Sequence, residues 1–289
     1  MIFILSTVST IRLEPDSFIR LNPVQPNSRL FRHILHNPES VSILEKMSDA
    51  TIEYIRNYNH FSEYKQRLRK DLFKSFIFAA DHWFQIHSFL GAGADGNVFK
   101  AFDLEDKNLV AIKFIKLTEK DYKFKNEIKA LEIMDQLITF DESEYIIVQK
   151  LINGISLFEH IKKFSRRKDF TAEMQILKER YNILREQLYE KGIIHNDLAP
   201  RNIIVDDKNQ LHVIDFENAE FVSELDRKML HQRRLDDRRR SDLEWKAVMN
   251  YVAFDKELKK PKHRQNEEVY LEYVTTLLKL GHDVSIPMN

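Results

Sequence analysis

The sequence predicts an α+β fold of two lobes, a small β-rich lobe followed by a larger helical lobe, with a helical module in front of them. Three observations lead to this prediction. Short runs rich in β-branched and aromatic residues follow one another from Trp83, which is typical of antiparallel strands. Apolar residues at helical spacing dominate from Ser156 onward. Three of the chain's six glycines lie together between the first two predicted strands.

The pattern divides the chain near residue 80. We expect residues 1–80 to form a helical N-terminal extension, including a helix from Phe61 to about Ala80 whose apolar residues recur at helical spacing. Residues 81–289 form the second predicted domain, with a small lobe at 81–152 and a large lobe at 153–289. The large lobe is short and is therefore predicted to be reduced.

The small lobe is predicted to contain four strands and one helix. The strands are Trp83–Leu90, Asn97–Asp103, Leu109–Ile115 and Tyr145–Leu151, and the helix is Asp121–Gln136. In the large lobe, the predicted helices are Ser156–Phe164, Thr171–Lys191, Asp237–Phe254 and Asn266–Leu280. The predicted strands there are Ile203–Val205 and Leu211–Ile214.

Composition excludes several classes of protein. The chain has 45 basic and 45 acidic side chains, so no net charge draws it toward nucleic acid or an anionic membrane. Without cysteines it has no disulfide framework and no thiolate metal site. No apolar stretch is long enough for a membrane span, and the start of the chain is a poor secretory signal. We expect a cytoplasmic protein, and delivery into another cell as an effector stays compatible with the sequence.

The glycine-rich segment GAGADGNV suggests a phosphate-binding hairpin. Gly91, Gly93 and Gly96 lie between two predicted strands, where backbone amides can approach a triphosphate without side-chain obstruction. A dinucleotide-binding turn fits less well, because a strand rather than a helix follows the glycines. A plain β-hairpin is the alternative interpretation.

The segment HNDLAPRN carries the most specific chemistry. Its Asp197 can orient and deprotonate an incoming hydroxyl, and Asn202 can ligate Mg²⁺ through its amide oxygen. Asp215 ends the following strand and offers a second oxygen ligand. An Asp-rich surface turn is the alternative, but it does not explain why predicted strands flank the segment so closely.

In this order and spacing, four segments resemble the protein kinase-like superfamily over roughly Asp81 to Phe254. They are Gly91–Val98, Val110–Lys113, His195–Asn202 and Ile214–Glu217. The resemblance implies a bilobal kinase-like fold and an ATP- and Mg²⁺-dependent phosphotransferase.

The resemblance also implies roles for individual residues. Lys113 would bind the α- and β-phosphates and be held by Glu127, while Asp197 would position the acceptor hydroxyl and Asn202 and Asp215 would hold Mg²⁺. The residues implied to surround ATP are Gly91, Gly93, Gly96, Val98, Ala111, Lys113, Val148, Gln149, Leu151 and Ile204. His195 is expected to be structural.

Two positions depart from the usual protein kinase wording and resemble choline kinases and related small-molecule kinases instead. Asn196 stands where most protein kinases have the arginine that receives an activation-loop phosphate, so we expect that switch to be absent. Glu217 stands in place of the glycine after Asp-Phe, which predicts a less mobile loop. We expect Asp242 to be the helix aspartate that steadies the catalytic loop.

The run QRRLDDRRRSD, Gln232–Asp242, is the densest basic stretch of the chain. Its plain interpretation is a solvated helix face, and its functional one is a docking surface for an acidic or phosphorylated partner. Nucleic acid is not expected, because the run lacks interleaved aromatic residues.

The first functional hypothesis is a compact, atypical Ser/Thr protein kinase acting on a protein substrate, supported by the complete glycine-rich and VAIK segments. The second is a small-molecule kinase acting on an amino alcohol, sugar or lipid headgroup, supported by Asn196 and Glu217. A third, a pseudokinase binding module, is opposed by the intact Lys113, Asp197 and Asn202. The N-terminal module could brace the small lobe, bind a partner or regulator, or gate activity.

Overall fold

The computed structural model describes residues 45–55 without 47 and 54, 75–92, 96–116, 121–258 without 166 and 168, and 267–280. The chain separates into two compact units. The strand unit comprises Met1–Glu119 and Leu137–Leu151, and the helix unit comprises Lys120–Gln136 and Ile152–Asn289. Among the described helices, none has a segment both long and apolar enough to cross a membrane.

A six-stranded antiparallel sheet forms the strand unit. Its strands are β1 (Phe76–Ala79), β2 (His82–Ala92), β3 (Gly96–Asp103), β4 (Leu109–Ile115), β5 (Leu137–Asp141) and β6 (Ile146–Lys150). They lie in the order β1-β2-β3-β4-β6-β5. The four strands predicted in this lobe are therefore confirmed, and β5 is an additional strand that the sequence patterns did not reveal.

Strand β1 corrects the predicted helix from Phe61 to Ala80 in the part that the structure describes. Ile77 and Ala79 point into the core and alternate with half-buried neighbours, which is the period of a strand. The turn to β2 uses Ala80 and Asp81, both with positive φ (50° and 63°), as a two-residue hairpin requires. The aromatic and β-branched run therefore prevails over the helical spacing, and the predicted division at residues 80 and 81 falls within this turn.

The described part of the N-terminal extension packs on this sheet. Ile52 and Ile55, from a helical stretch at 48–55, are 2% and 0% exposed and belong to the same apolar core as the sheet residues. Ser48 Oγ accepts a hydrogen bond from the Phe78 amide at 2.7 Å, and Asn97 Nδ2 donates one to the Ile55 carbonyl at 3.3 Å. This stretch is thus part of the small lobe's core.

Five helices dominate the described part of the helix unit. They are α1 (Asp121–Ile133), α2 (Leu157–Phe164), α3 (Phe170–Glu190), α4 (Arg227–Leu258) and α5 (Glu267–Lys279). Short strands accompany them: β7 (Gly154–Ser156), β8 (Ile193–Ile194), β9 (Ile203–Asp206), β10 (Leu211–Val213) and β11 (Glu220–Phe221). The strands pair as β10-β9-β7 and β11-β8.

Helix α3 buries one apolar face within the helix unit. Its buried residues recur at three- and four-residue spacing, which places them on one face: Met174, Leu177, Tyr181, Leu184 and Leu188. Strand β8 follows α3 in the chain, and its Ile193 and Ile194 are fully buried. The chain then enters the segment that carries the predicted catalytic residues.

Gly154 in β7 is required by close packing against β9. A Cβ atom at this position would lie 2.2 Å from the Val205 carbonyl oxygen, which no side chain can tolerate. At the last residue of β7, the Ser156 hydroxyl accepts a hydrogen bond from the Glu159 amide and caps the start of α2. Together these contacts fix β9, which directly follows the candidate catalytic loop.

Candidate active site

The catalytic loop, His195–Asn202, is held from behind by Asp237 of α4. The Asp237 carboxylate accepts hydrogen bonds from the Asn196 amide at 2.8 Å and from the Tyr189 hydroxyl at 2.7 Å. Asp237 is 2% exposed, so these bonds satisfy a buried charge. Burial and the Asp237 charge raise the pKa of Tyr189, which keeps its hydroxyl a donor.

The prediction that Asp242 steadies this loop is wrong. Asp242 instead accepts from Lys178 at 2.6 Å and pairs with Arg185 at 3.4 Å, both on α3, and its side chain is 56% exposed. The supporting aspartate is Asp237, which lies more than one helical turn earlier. Both acids occur in one charged run of α4, so no apolar periodicity distinguishes the buried one from the exposed one.

His195 ties the loop to the core, as expected. Its Nδ1 accepts a hydrogen bond from the Asp197 amide, and its Nε2 donates to the Ile214 carbonyl, both at 3.3 Å. Burial lowers the pKa of His195, which favours the neutral ring that accepts at Nδ1 and donates at Nε2. The side chain therefore links the segments before and after β9 and β10.

Asp197 and Asn202 come together within the loop. Asn202 Nδ2 donates to the Asp197 carbonyl and to its Oδ2, both at 2.9 Å. The Asp197 side chain remains 15% exposed. A carboxylate fixed in this way can accept a hydrogen bond from an acceptor hydroxyl and take its proton.

Two arginines beside Asp197 were not singled out from the sequence. Arg201 donates to both carboxylate oxygens of Asp197, at 2.9 and 3.1 Å, and to Glu244 at 3.2 Å. Burial alone would lower the pKa of Arg201, but the two carboxylates outweigh it and raise that pKa. Arg240 of α4 lies 3.7 Å from the Asp197 Oδ1. The i,i+4 spacing of Asp197 and Arg201 was the available signal for the first contact.

The residues present fit a hard cation such as Mg²⁺. The two hydrogen bonds of Asn202 to Asp197 use its Nδ2, so its amide oxygen is the atom that can ligate a cation. Carboxylate oxygens of Asp215, Glu127 and Glu217 lie within 4.8 Å of one another, and oxygen donors suit this ion. Asp215 has a positive φ of 67°, a conformation that costs a non-glycine residue energy and is held by its surroundings.

The segment that follows Asp215 is attached to one face of α1. We call residues 217–224 the anchored segment. Lys123 lies 3.7 Å from the Glu217 carboxylate, Asn126 donates to the Ala219 carbonyl at 3.0 Å, and Lys129 pairs with Glu224. Asn196 Nδ2 also donates to the carbonyl of Asn218 at 3.0 Å. The departures Asn196 and Glu217 thus both take part in holding this segment.

The predicted nucleotide residues of the strand unit lie on adjoining strands. Val98 is opposite both Gly91 and Lys113, and Ala111 is opposite Gln149. Lys113 is 5% exposed. The remaining members are Val148, which is fully buried on β6, and Leu151, which follows it. These positions come together, while their contact with ATP stays a prediction.

The glycines of the hairpin differ in their steric surroundings. A Cβ at Gly96 would lie 2.6 Å from the Phe114 carbonyl oxygen, so strand pairing alone requires this glycine. At Gly91 a Cβ would meet nothing within 4 Å. Gly93 lies outside the described residues. Local packing therefore requires Gly96 and does not require Gly91, whose role in binding ATP stays a prediction.

The remaining predicted residues belong to the helix unit. Glu127 is fully buried on α1, and Ile204 lies on β9, where it is half-buried and opposite His212 and Ser156. The predicted ion pair between Lys113 and Glu127 joins residues of the two units and stays a prediction, as does the placement of Ile204 beneath the adenine.

Comparison with known proteins indicates the family to which this chain belongs. A family model for the protein kinase domain matches residues 84–235, just over half of the chain. The chain is 31% identical over 150 residues to mouse serine/threonine-protein kinase Nek10, covering 44% of this chain and 14% of that protein. It is 29% identical over 160 residues to human serine/threonine-protein kinase 32B, covering 51% and 38%.

A fission yeast protein, the negative regulator of sexual conjugation and meiosis, is 30% identical over 146 residues, covering 45% of this chain and 30% of that protein. The chain thus spans well under half the length of these curated relatives. The match to the family confirms the predicted α+β kinase fold and the predicted kinase class of enzyme. From the segment order, the loop geometry and the family match together, this chain belongs to the protein kinase domain family.

Proposed function

We propose that this protein uses Mg-ATP to phosphorylate serine or threonine hydroxyls of a protein substrate. The observation that carries the proposal is the Asp197 carboxylate, aligned by Asn202 and Arg201 in a loop that Asp237 holds. Two relatives are named serine/threonine-protein kinases, which supports the same acceptor chemistry.

Each described residue has a defined task in this proposal. Asp197 accepts the hydrogen bond of the acceptor hydroxyl, which points its oxygen lone pair at the phosphorus, and takes the proton as transfer proceeds. Arg201 fixes the rotation of that carboxylate through two hydrogen bonds. Asn202 and Asp215 would hold Mg²⁺, which neutralises phosphate charge when bound. Catalysis would therefore come mainly from positioning and charge neutralisation.

A second candidate is a small-molecule kinase acting on an amino alcohol, sugar or lipid headgroup. Asn196 and Glu217 favour it, because they replace the arginine and glycine of most protein kinases. Both candidates use the same base and the same metal ligands. They differ in the acceptor, so the acceptor is what has to be identified.

The test is transfer of a labelled γ-phosphate. Purified protein is incubated with Mg-ATP, a cell lysate and a metabolite panel, beside Asp197→Ala and the control Asp207→Ala. Asp207 lies near Asp197 in sequence but is exposed in the turn between β9 and β10. Removal of a general base lowers the rate by about 10²–10⁴-fold.

The acceptor decides between the candidates. Labelled Ser or Thr in proteins, lost in Asp197→Ala and retained in Asp207→Ala, supports the proposal. A labelled metabolite with the same dependence supports the second candidate. ATP binding without transfer to any acceptor contradicts both and indicates a binding module.

A further inference from the structure

A polar cavity of about 490 Å³ opens beside the catalytic loop, entirely within the helix unit. It is bounded by α1, the catalytic loop, the anchored segment and α4. Its walls include Tyr122, Asn126, Asn196, Asn218, Arg233 and Arg240. This volume is in the range of small ligand sites and suits one or two side chains of an extended substrate.

The acidic residues of the cavity are engaged by neighbouring groups. Asp237 accepts from the Asn196 amide and the Tyr189 hydroxyl. Glu220 pairs with Arg233 at 3.1 Å, and Asp236 accepts from Gln232 at 2.9 Å. All three carboxylates are thus hydrogen-bonded or ion-paired, and among the partners named only Arg233 brings a positive charge.

Arg240 is held less closely than these acids. Its guanidinium lies 3.7 Å from Asp197 Oδ1, which is beyond hydrogen-bond distance, and Arg201 already donates to both oxygens of that carboxylate. The Arg240 side chain is 53% exposed. An arginine with this placement can bind an incoming anion without losing a strong hydrogen bond to the protein.

The position of Arg240 follows from the chain path after Asp215. The anchored segment leads through a short turn directly into α4 at Arg227. Side chains of α4 therefore form the wall of the cavity next to Asp197. Arg233, Asp237 and Arg240 are spaced by four and three residues and share one face of the helix.

We propose that Arg240 determines substrate specificity. It would bind a carboxylate or phosphate group on the residue next to the hydroxyl that is phosphorylated. This inference rests on the proposed function, since it needs the hydroxyl to lie at Asp197. An acceptor hydroxyl hydrogen-bonded to that carboxylate brings its neighbouring residue to the cavity that Arg240 lines. The planar guanidinium can donate two parallel hydrogen bonds to a carboxylate or a phosphate.

The test uses serine peptides that differ only at the residue next to the serine, which is Glu, phosphoserine, Ala or Lys. For the natural protein we expect kcat/KM to be about tenfold or more higher with Glu and phosphoserine than with Ala, because a hydrogen bond to a charged group contributes about 1.5–3 kcal/mol. The Glu and phosphoserine peptides distinguish the carboxylate from the phosphate as the preferred group.

Substitutions at Arg240 identify the residue responsible. Arg240→Ala should remove the preference, Arg240→Lys should retain part of it, and Arg240→Glu should shift it toward the Lys peptide. Arg239→Ala is the matched control, since this neighbouring arginine of α4 is 74% exposed and does not line the cavity. It should keep the preference of the natural protein. Circular dichroism and thermal unfolding verify that each variant is folded.

Several results would overturn the inference. Equal kcat/KM for the Glu, phosphoserine and Ala peptides contradicts it while leaving the proposed function standing. A uniform fall of kcat for all peptides in Arg240→Ala also contradicts it, because it places Arg240 at the transferred phosphoryl group rather than at the acceptor. Absence of transfer by the natural protein to any peptide or lysate protein overturns the proposed function itself.

Discussion

The sheet of the strand unit and the catalytic loop of the helix unit are held by different forces. Around the sheet, Ile55, Phe99 and Ile112 are almost fully buried in a continuous apolar core. Around the loop, the contacts are polar: Asp237 binds the Asn196 amide, and Arg201 links Asp197 to Glu244. The hydrophobic effect does not depend on the orientation of the buried side chains, whereas a hydrogen bond requires a particular angle between donor and acceptor.

Substitutions in the two regions should therefore have different consequences. A lost methyl group in the apolar core should reduce stability in proportion to the cavity it leaves. A lost hydrogen bond at the loop should also misplace Asp197, because its orientation depends on few contacts. Four measurements test this contrast, in order of decreasing expected effect.

The largest effect on stability is expected from Ile55→Ala. This side chain is 0% exposed and packs with the sheet, so its truncation should lower the free energy of unfolding by about 2–5 kcal/mol. Glu53→Ala, an exposed change in the same helical stretch, should stay within about 0.5 kcal/mol. Urea denaturation measures both. Similar values for the two variants would show that this stretch does not brace the small lobe.

The next effect is expected from Asp237→Ala. It removes the acceptor for the Asn196 amide and the Tyr189 hydroxyl, and should lower unfolding free energy by about 1.5–3 kcal/mol and kcat with it. Asp242→Ala on the same helix removes a carboxylate that is itself 56% exposed and should cost about 1 kcal/mol. If Asp237→Ala lowers the free energy of unfolding but leaves kcat unchanged, the claim that this hydrogen bond positions Asp197 is wrong.

A smaller effect is expected for the pair of Lys123 and Glu217. Their side chains are 15% and 12% exposed, so a double-mutant cycle with alanine should give a coupling of about 0.5–1 kcal/mol. The pair Lys246 and Glu272 is shorter, at 2.9 Å, but more than half exposed. Its coupling should be smaller. The reverse order would show that distance, not burial, governs these pairs.

The smallest effect is expected from pH. The pKa of His195 is lowered by burial in the folded protein, so below its unfolded value of about 6.5 the unfolded state binds a proton that the folded state does not. Stability should therefore fall between pH 7.5 and 5.5. In His195→Gln this fall should be shallower, while the exposed control His231→Gln should retain it. An unchanged slope in His195→Gln would contradict the assignment of a neutral ring.

The sequence predicted the strands of the sheet well, because alternation and β-branched residues are local signals. It failed at β1, where Phe76 also fitted a helical stripe and only pairing with β2 decides. It did not separate β8 and β11, whose two-residue pairing exists only in the folded chain. Strands that depend on pairing between distant segments therefore could not be predicted from local sequence patterns.

At the site, the sequence brought out Asp197 and Asn202 because their chemistry is concentrated in one segment. It missed Asp237 and Arg240, since their partners precede them by some forty residues in the chain. In a run as charged as Gln232–Asp242, no pattern tells a buried aspartate from a solvated one. The approach of α4 to the catalytic loop supplies that information.

The attachment of α1 has a consequence for small-molecule inhibition. Lys123, Asn126 and Lys129 are spaced by three residues, and each holds a different group of the anchored segment. Because α1 contacts the anchored segment at three successive points, even a partial displacement from it breaks contacts and costs free energy. An inhibitor that needs this helix to separate from the anchored segment must break all three attachments, and its apparent affinity falls by that free energy. Compounds shaped to the helix in its present position avoid this penalty, so screening against this kinase should favour them.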